Sequence, residues 1–299
     1  MPLELGLRDL RIQAEYRSDH CDLIRDFYVP CLSRAARYDR AVGFFSSTSM
    51  AAVAAGLTAF ICSAGKMRLV VSPCLSSEDV EAIRQGLQKR EEIVGNALSK
   101  ALEEELSEVV WNRLACLAWL LEKGILEIRV AVPRQIRQFQ GIYHEKLGIF
   151  ADSEENLVTF MGSANESSTA LIDNFECIDV YASWEAGVQK RAIRKAQNFE
   201  RLWENETAKI EVMPFPEAAA KSLLRFKPSV APTLEDEWAW ERKARERAGE
   251  WRADQRDREG RVEDREPKQK QSKREIIPIV YNTHESWPST PEGLTLRGY

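Results

Sequence analysis

The stretch Tyr143-His144-Glu145-Lys146-Leu147-Gly148-Ile149-Phe150-Ala151-Asp152, followed by Gly162-Ser163-Ala164-Asn165, gathers side chains suited to a phosphodiester. A histidine can attack phosphorus or move a proton near neutral pH. A lysine neutralises a non-bridging oxygen; an asparagine amide, a serine hydroxyl and a helix N-terminus can stabilise the remaining charge. His144 and Lys146 stand two apart on a predicted strand at 142–151, so both side chains leave one face. Ser163 and Asn165 are also two apart, at the end of the next predicted strand and the start of a helix. Two adjacent strands would bring all four groups to one spot. The same alternation turns Glu145 away from it.

The elements that must position these residues are legible as patterns. Residues 41–46 (AVGFFS) read as a buried strand, 49–63 as a helix with Ser and Thr before it as capping candidates, and 67–73 (MRLVVSP) as a strand closed by proline. Strand, helix and strand in this span make a βαβ unit, which requires a parallel pair and an α/β fold. Helical pattern covers 77–123 and ends at Lys123-Gly124. Strands follow at 126–132, 142–151 and 157–162, the last two joined by the polar turn Asp152–Asn156. A helix is predicted at 165–172, a strand at 176–183, a long amphipathic helix at 186–206, a strand at 209–213 and a short helix at 216–224.

His-x-Lys, here HEK, then an aspartate, then Gly-Ser-x-Asn, here GSAN, in this order and at this spacing, resembles the motif of the phospholipase D superfamily. The resemblance covers about residues 30–215 and implies an α/β fold with a mixed sheet flanked by helices, one motif per chain. It implies that one histidine attacks phosphorus and forms a phosphohistidine while a second protonates the leaving oxygen, with no metal or cofactor. It often includes an acidic residue about ten positions after the asparagine, where Glu176 stands. One departure is plain. The family usually has four residues between lysine and aspartate; here five intervene, Leu147 to Ala151, and Ala151 stands at the expected place. Asp152 is either shifted by a bulge or only opens the turn, and Glu176 is the better candidate for holding the His144 ring.

Because neither His20 nor His284 is followed two positions later by lysine, the chain carries one motif. The resemblance therefore implies a homodimer with facing sites, as in single-motif bacterial nucleases and restriction enzymes. Arg134, Arg137 and Lys146 with Phe139 and Tyr143 read either as a basic, aromatic nucleic-acid-binding rim or, for the two arginines, as an ordinary polar loop. The expected substrate is DNA or RNA, DNA being favoured. A module that binds nucleic acid or a partner without catalysis is the alternative, and the displaced aspartate is its best argument. A phospholipid hydrolase is less favoured, because no membrane-binding amphipathic face is evident.

Composition sets the outer limits. With 299 residues, 44% hydrophobic and 30% charged, the chain can bury a substantial core. A net charge of −5 means that any basic surface for nucleic acid must be local. The six cysteines form no CxxC pair and read as reduced thiols. The N-terminus lacks the apolar core of a signal peptide and no run is long enough to span a bilayer, so a cytoplasmic protein away from membranes is expected. Residues 1–226 read as the nuclease-like domain and 227–275 as a charged helical linker, whose Trp238, Trp240 and Trp251 could dock it on another surface. Residues 276–299 read as a tail. Its last residues, Leu294-Thr295-Leu296-Arg297-Gly298-Tyr299, resemble the segment that opens the motor domain of superfamily 2 helicases. A helicase domain is thus a possible partner in cis or in trans, in a restriction or phage-defence setting.

Overall fold

Charged residues make up most of the strand that anchors the sheet. In β2 (Arg37–Ala41), Asp39 is only 2% exposed. Its carboxylate accepts from Arg37 Nε at 3.1 Å, and from Arg68 Nε at 2.7 Å and Nη2 at 2.9 Å. A fork of this kind is what makes a buried carboxylate tolerable. The predicted strand at 41–46 is corrected accordingly. It lies earlier, because paired charges rather than apolar residues fill it. The apolar run after Ala41 still tracks the neighbouring strand through Val42 N to Val70 O at 2.9 Å and Phe45 N to Ser72 O at 2.8 Å.

The computed structural model describes residues 5–61, 65–85, 88–103, 106–134, 143–162, 176–243 and 245–246. The other strands are β1 (Glu15–Arg17), β3 (Lys66–Val71), β4 (Leu126–Pro133), β5 (Leu147–Ala151), β6 (Leu157–Gly162), β7 (Cys177–Ala182) and β8 (Ile210–Pro214). They form one sheet in the order β1-β7-β6-β5-β2-β3-β4-β8. The β2–β3 and β3–β4 pairs are parallel and the other pairs antiparallel, so the sheet is mixed. The βαβ unit expected from the sequence is present as β2, two short helices and β3.

Helices cover both faces. On one lie a π-helical turn (Ile24–Tyr28) running into α1 (Val29–Leu32), then α2 (Ser47–Val53), α3 (Leu57–Ile61), α4 (Ser77–Gln85), α5 (Arg90–Lys100) and α6 (Glu108–Glu122). The predicted helix 49–63 is two helices, broken at Gly56, whose φ of +76° is left-handed. Ser46 caps α2 by accepting from Ser49 N at 3.0 Å. The main core packs Leu57, Phe60, Leu114 and Leu117 from these helices on Tyr38, Leu69, Ile128, Phe150 and Phe160 of the sheet. The opposite face carries α7 (Gln189–Trp203), which places Phe199, Leu202 and Trp203 on Ala41, Val70, Ala131 and Ile149. There Arg68 also bonds Glu200 at 2.9 Å and lies 5.2 Å over the Phe199 and Trp203 rings. A last helix in the sheet's helical cover, α8 (Glu217–Leu224), buries Ala219 and Leu223 in the main core.

Residues 234–243, within the segment read as a linker, are helical and bury two carboxylates. Glu237 is fully buried, 3.3 Å from Arg113 Nη2 of α6, and its other oxygen lies 3.3 Å from the Thr58 hydroxyl of α3. Glu241, 6% exposed, lies 3.5 Å from the same Arg113 nitrogen. Trp238 receives the Arg25 guanidinium 4.5 Å above its ring. The tail at 276–299, with Trp251 and the rest of the charged segment beyond residue 246, lies outside the described residues, as does the helix expected at 165–172. Among the described residues no helix is long and apolar enough to cross a membrane.

Candidate active site

Strand direction decides what meets what. Because β5 and β6 are antiparallel, and β6 and β7 likewise, the start of β5, the end of β6 and the start of β7 share one end of the sheet. The pairs Leu147 with Met161 and Gly162 with Ile178 fix that register. His144 and Lys146 sit just before β5, and Glu176 just before β7. Ser163 and Asn165 follow Gly162 in sequence and lie outside the described residues, as do Arg137 and Phe139. The same end carries the C-terminus of β2, since Ala41 pairs with Leu147. Sheet ends of this kind, at the carboxyl ends of parallel strands, are where open α/β sheets usually form sites.

Residues 143–146 are not part of the strand, which begins at Leu147. His144 is therefore positioned by packing on the chain leaving β2 and not by strand alternation alone. Its ring centroid lies 5.2 Å from that of Phe44. Gly43 lets the two segments touch: a Cβ there would fall 2.6 Å from His144 Cδ2 and 3.1 Å from its Cα. His144 is nonetheless exposed, and Lys146 is half-buried.

Glu176 is held at the site by its backbone. Its N–H donates to the Ser18 hydroxyl at 2.9 Å and its carbonyl accepts from Ser18 N at 2.9 Å. Burial pushes its carboxyl above the ordinary range, opposed by the charges of Arg40 and then Lys146. Glu176 and Lys146 are thus electrostatic neighbours, as the sequence reading requires of two residues of one site. Arg40 was not singled out by that reading. Its position in a strand of alternating charges was the only available signal, and it gives no direction.

Asp152 belongs elsewhere. It follows Ala151, at the far end of β5, six residues or about 20 Å of extended chain from Lys146. It is 3% exposed. One carboxylate oxygen accepts from Glu154 N at 3.0 Å and Asn156 N at 2.9 Å; the other accepts from Leu7 N at 2.9 Å and Asn156 Nδ2 at 3.0 Å. Burial would raise its pKa. The bonds from the Asn156 side chain and from the N–H groups of Leu7, Asn156 and Glu154 outweigh that and hold it below the ordinary carboxylate range. Asp152 closes the β5–β6 turn and ties the N-terminal segment to it. Asp152 therefore stands at the end of β5 opposite to the one that His144 precedes.

Asp152→Asn leaves a donor where three backbone N–H groups converge. It should cost about 2 kcal/mol or more of stability in urea unfolding while leaving activity per folded molecule unchanged. Because the folded pKa is depressed, the stability that Asp152 contributes is present above its unfolded pKa and fades as pH falls through the folded one. The difference between wild type and variant should shrink in acid.

Two expected rim residues have other roles. Tyr143 is 7% exposed, packs in the α7-side core and donates to Glu145 Oε2 at 2.9 Å, so it is a core residue and not a rim contact. The phenol's pKa is driven up by burial and by the adjacent Glu145. Arg134 is exposed, but its Nη2 donates at 2.7 Å to both the carbonyl and the side-chain oxygen of Asn205, tying β4 to the turn after α7.

No family model and no curated protein matches the chain. Among solved structures it is similar to NucT from Helicobacter pylori, at 13% identity and a TM-score of 0.36, over 67% of this chain and 97% of that one. It is similar in the same degree to Nuc, a phospholipase D family member from Salmonella typhimurium, at 13% identity and 0.36, over 67% and 96%. Yeast tyrosyl-DNA phosphodiesterase is similar at 9% identity and 0.27, over 50% of this chain and 26% of that one. The residues themselves, rather than these similarities, carry the functional conclusion.

Proposed function

We propose that the chain is a phosphodiesterase of the phospholipase D type that cleaves nucleic acid, DNA in preference to RNA, through a phosphohistidine on His144. The observation that carries this reading is the placement of His144, Lys146 and Glu176 at one end of β5, β6 and β7, with β6 leading directly into Ser163 and Asn165. A His144 ring nitrogen attacks phosphorus, the P–N bond forms and the bond to the leaving oxygen breaks. His144 of the partner subunit supplies the proton to that oxygen. The same partner histidine then takes a proton from water, whose oxygen attacks phosphorus and releases His144. Lys146 offsets charge on the non-bridging oxygens, and Glu176 accepts from the far ring nitrogen of His144.

The test is cleavage of plasmid DNA in excess EDTA, followed over a dilution series with light scattering on the same samples. Cleavage should persist in EDTA and should fall on dilution as the dimer dissociates. Cleavage abolished by EDTA and restored by Mg²⁺ overturns the mechanism; undiminished cleavage by a monomer overturns the paired site.

A further inference from the structure

A solvated helix face usually mixes its charges. On α8, Glu217 and Lys221 stand four apart and meet at 2.7 Å. The outer face of α7 breaks this rule. The helix carries five cations, Lys190, Arg191, Arg194, Lys195 and Arg201, and one carboxylate, Glu200, in a chain whose net charge is −5. Glu200 is already taken by Arg68, at 3.1 and 2.9 Å. None of the five cations makes an ion pair among the described residues. Lys190, Arg191, Arg194 and Arg201 are exposed, as are the amides of Gln189, Gln197 and Asn198 beside them.

This arrangement works against the helix's own stability. Lys190 with Arg194, and Arg191 with Lys195, are like charges one turn apart, which repel. The first turn has no acidic residue and no side-chain cap, and it puts Lys190 and Arg191 at the positive end of the helix dipole. Local rules of stability are set aside in this way where a surface has something to meet. Arg191, Arg194, Asn198 and Arg201 recur at intervals of three and four, so they line one stripe. From Lys190 to Arg201 the face runs about 16 Å, or about five steps of a duplex strand.

Topology shows where the stripe leads. The turn into α7 starts at the end of β7 opposite Glu176, since Glu185 N donates to the Ala182 carbonyl at 3.2 Å. The helix ends beside the carboxyl end of β4, where Asn205 receives Arg134. β4 is parallel to β2 through β3, so that is the sheet end that carries His144. We propose that the outer face of α7 is a docking surface for the phosphate backbone of a DNA duplex, outside the catalytic site and leading toward it. A row of phosphates supplies the negative charge that the stripe lacks, and arginine and amide side chains hold phosphates without regard to base sequence. The inference rests on the phosphodiesterase reading for its choice of ligand, but its measurement does not depend on turnover.

The experiment is binding of a fluorescent DNA duplex to protein carrying His144→Ala, by anisotropy over a salt series. Arg191→Gln, Arg194→Gln and Arg201→Gln together should weaken binding about 10²-fold near about 0.1 M salt and lower the slope of log affinity against log salt by about 2–3. Lys100→Gln, Lys221→Gln and Arg225→Gln together remove equal charge from exposed positions on the other face and should leave the slope unchanged. Lys190→Glu should weaken binding yet raise the urea midpoint, because it replaces a repulsion of Arg194 by an attraction and puts an acid in the first turn. In protein that retains His144, the α7 triple variant should raise KM for the duplex at unchanged kcat and cleave bis(p-nitrophenyl) phosphate at the parent's rate. No duplex binding by the parent, a slope unmoved by the α7 variants, an equal fall in the control or a lowered midpoint in Lys190→Glu overturns the inference. So does loss of self-association, or of binding to phosphatidylglycerol vesicles, with duplex binding intact. A duplex held through α7 by a protein that never cleaves it would instead overturn the phosphodiesterase reading and leave this one standing.

Discussion

His144→Ala should lose at least about 10⁴-fold in cleavage rate, the scale on which removal of a covalent nucleophile acts, with its fold intact. The ring is exposed, and its contact with Phe44 is the only packing the variant forfeits among the described ring contacts. Unfolding in urea should therefore shift little. Lys146→Ala should lose less, about 10²-fold, as expected for one electrostatic stabiliser of a transition state. The ordering matters more than either number. If Lys146→Ala were the more damaging, the histidine would not be the nucleophile. Rates from plasmid nicking under single-turnover conditions separate the two.

The largest effect on stability should come from Arg113→Leu. Arg113 is 2% exposed and stands between Glu237 and Glu241, neither of which has another cation as near. Glu241 Oε2 is 3.7 Å from Arg245 and 3.9 Å from Arg25, ion-pair distances without hydrogen bonds. Removing the guanidinium leaves two buried carboxylates facing each other, at a cost of about 3–5 kcal/mol. Urea midpoints should fall accordingly, and the helix at 234–243 should become sensitive to protease. Burial, with Asp22 and Glu237 adding to it against Arg113 and Arg245, pushes the Glu241 carboxyl up to about 7. The folded pKa is raised, so the stabilisation is complete below the unfolded value near 4.5 and is lost as pH rises toward 7. Glu241→Gln should flatten that decline and exceed the wild type in stability above pH 7. Equal midpoints for wild type and Arg113→Leu would show that the helix does not hold through this cluster.

Where the sequence is periodic, it was readable. β3 after α2 and α3, the helix ending at Lys123-Gly124, and the strands at β4, β6, β7 and β8 all follow from apolar spacing and end signals, and each lies within a few residues of its predicted place. What escaped were elements whose stability is not local. β2 is three-fifths charged and becomes a strand only because Arg68, from the next strand, meets Asp39. β1 is three residues that exist only against β7. At 234–243 the sequence pointed to a helix, but its burial was not legible, since nothing in Glu237 or Glu241 announces that Arg113, more than a hundred residues away, will receive them.

The site divides in the same way. His144, Lys146 and Glu176 could be nominated because residue type and spacing suffice for a chemical argument. Tyr143 could not be separated from a rim contact, because its burial depends on α7. Asp152 could not be separated from a catalytic acid, because its hydrogen bonds come partly from Leu7.

The most direct test of the central claim is chemical. Wild-type protein mixed with an oligonucleotide labelled at the scissile phosphate, quenched in alkali within one turnover and digested, should yield a labelled peptide containing His144, with the label lost on brief acid treatment as a phosphoramidate requires. His144→Ala should yield none. A burst of cleavage with the label on another residue, or with no labelled peptide at any quench time, would contradict covalent catalysis by His144.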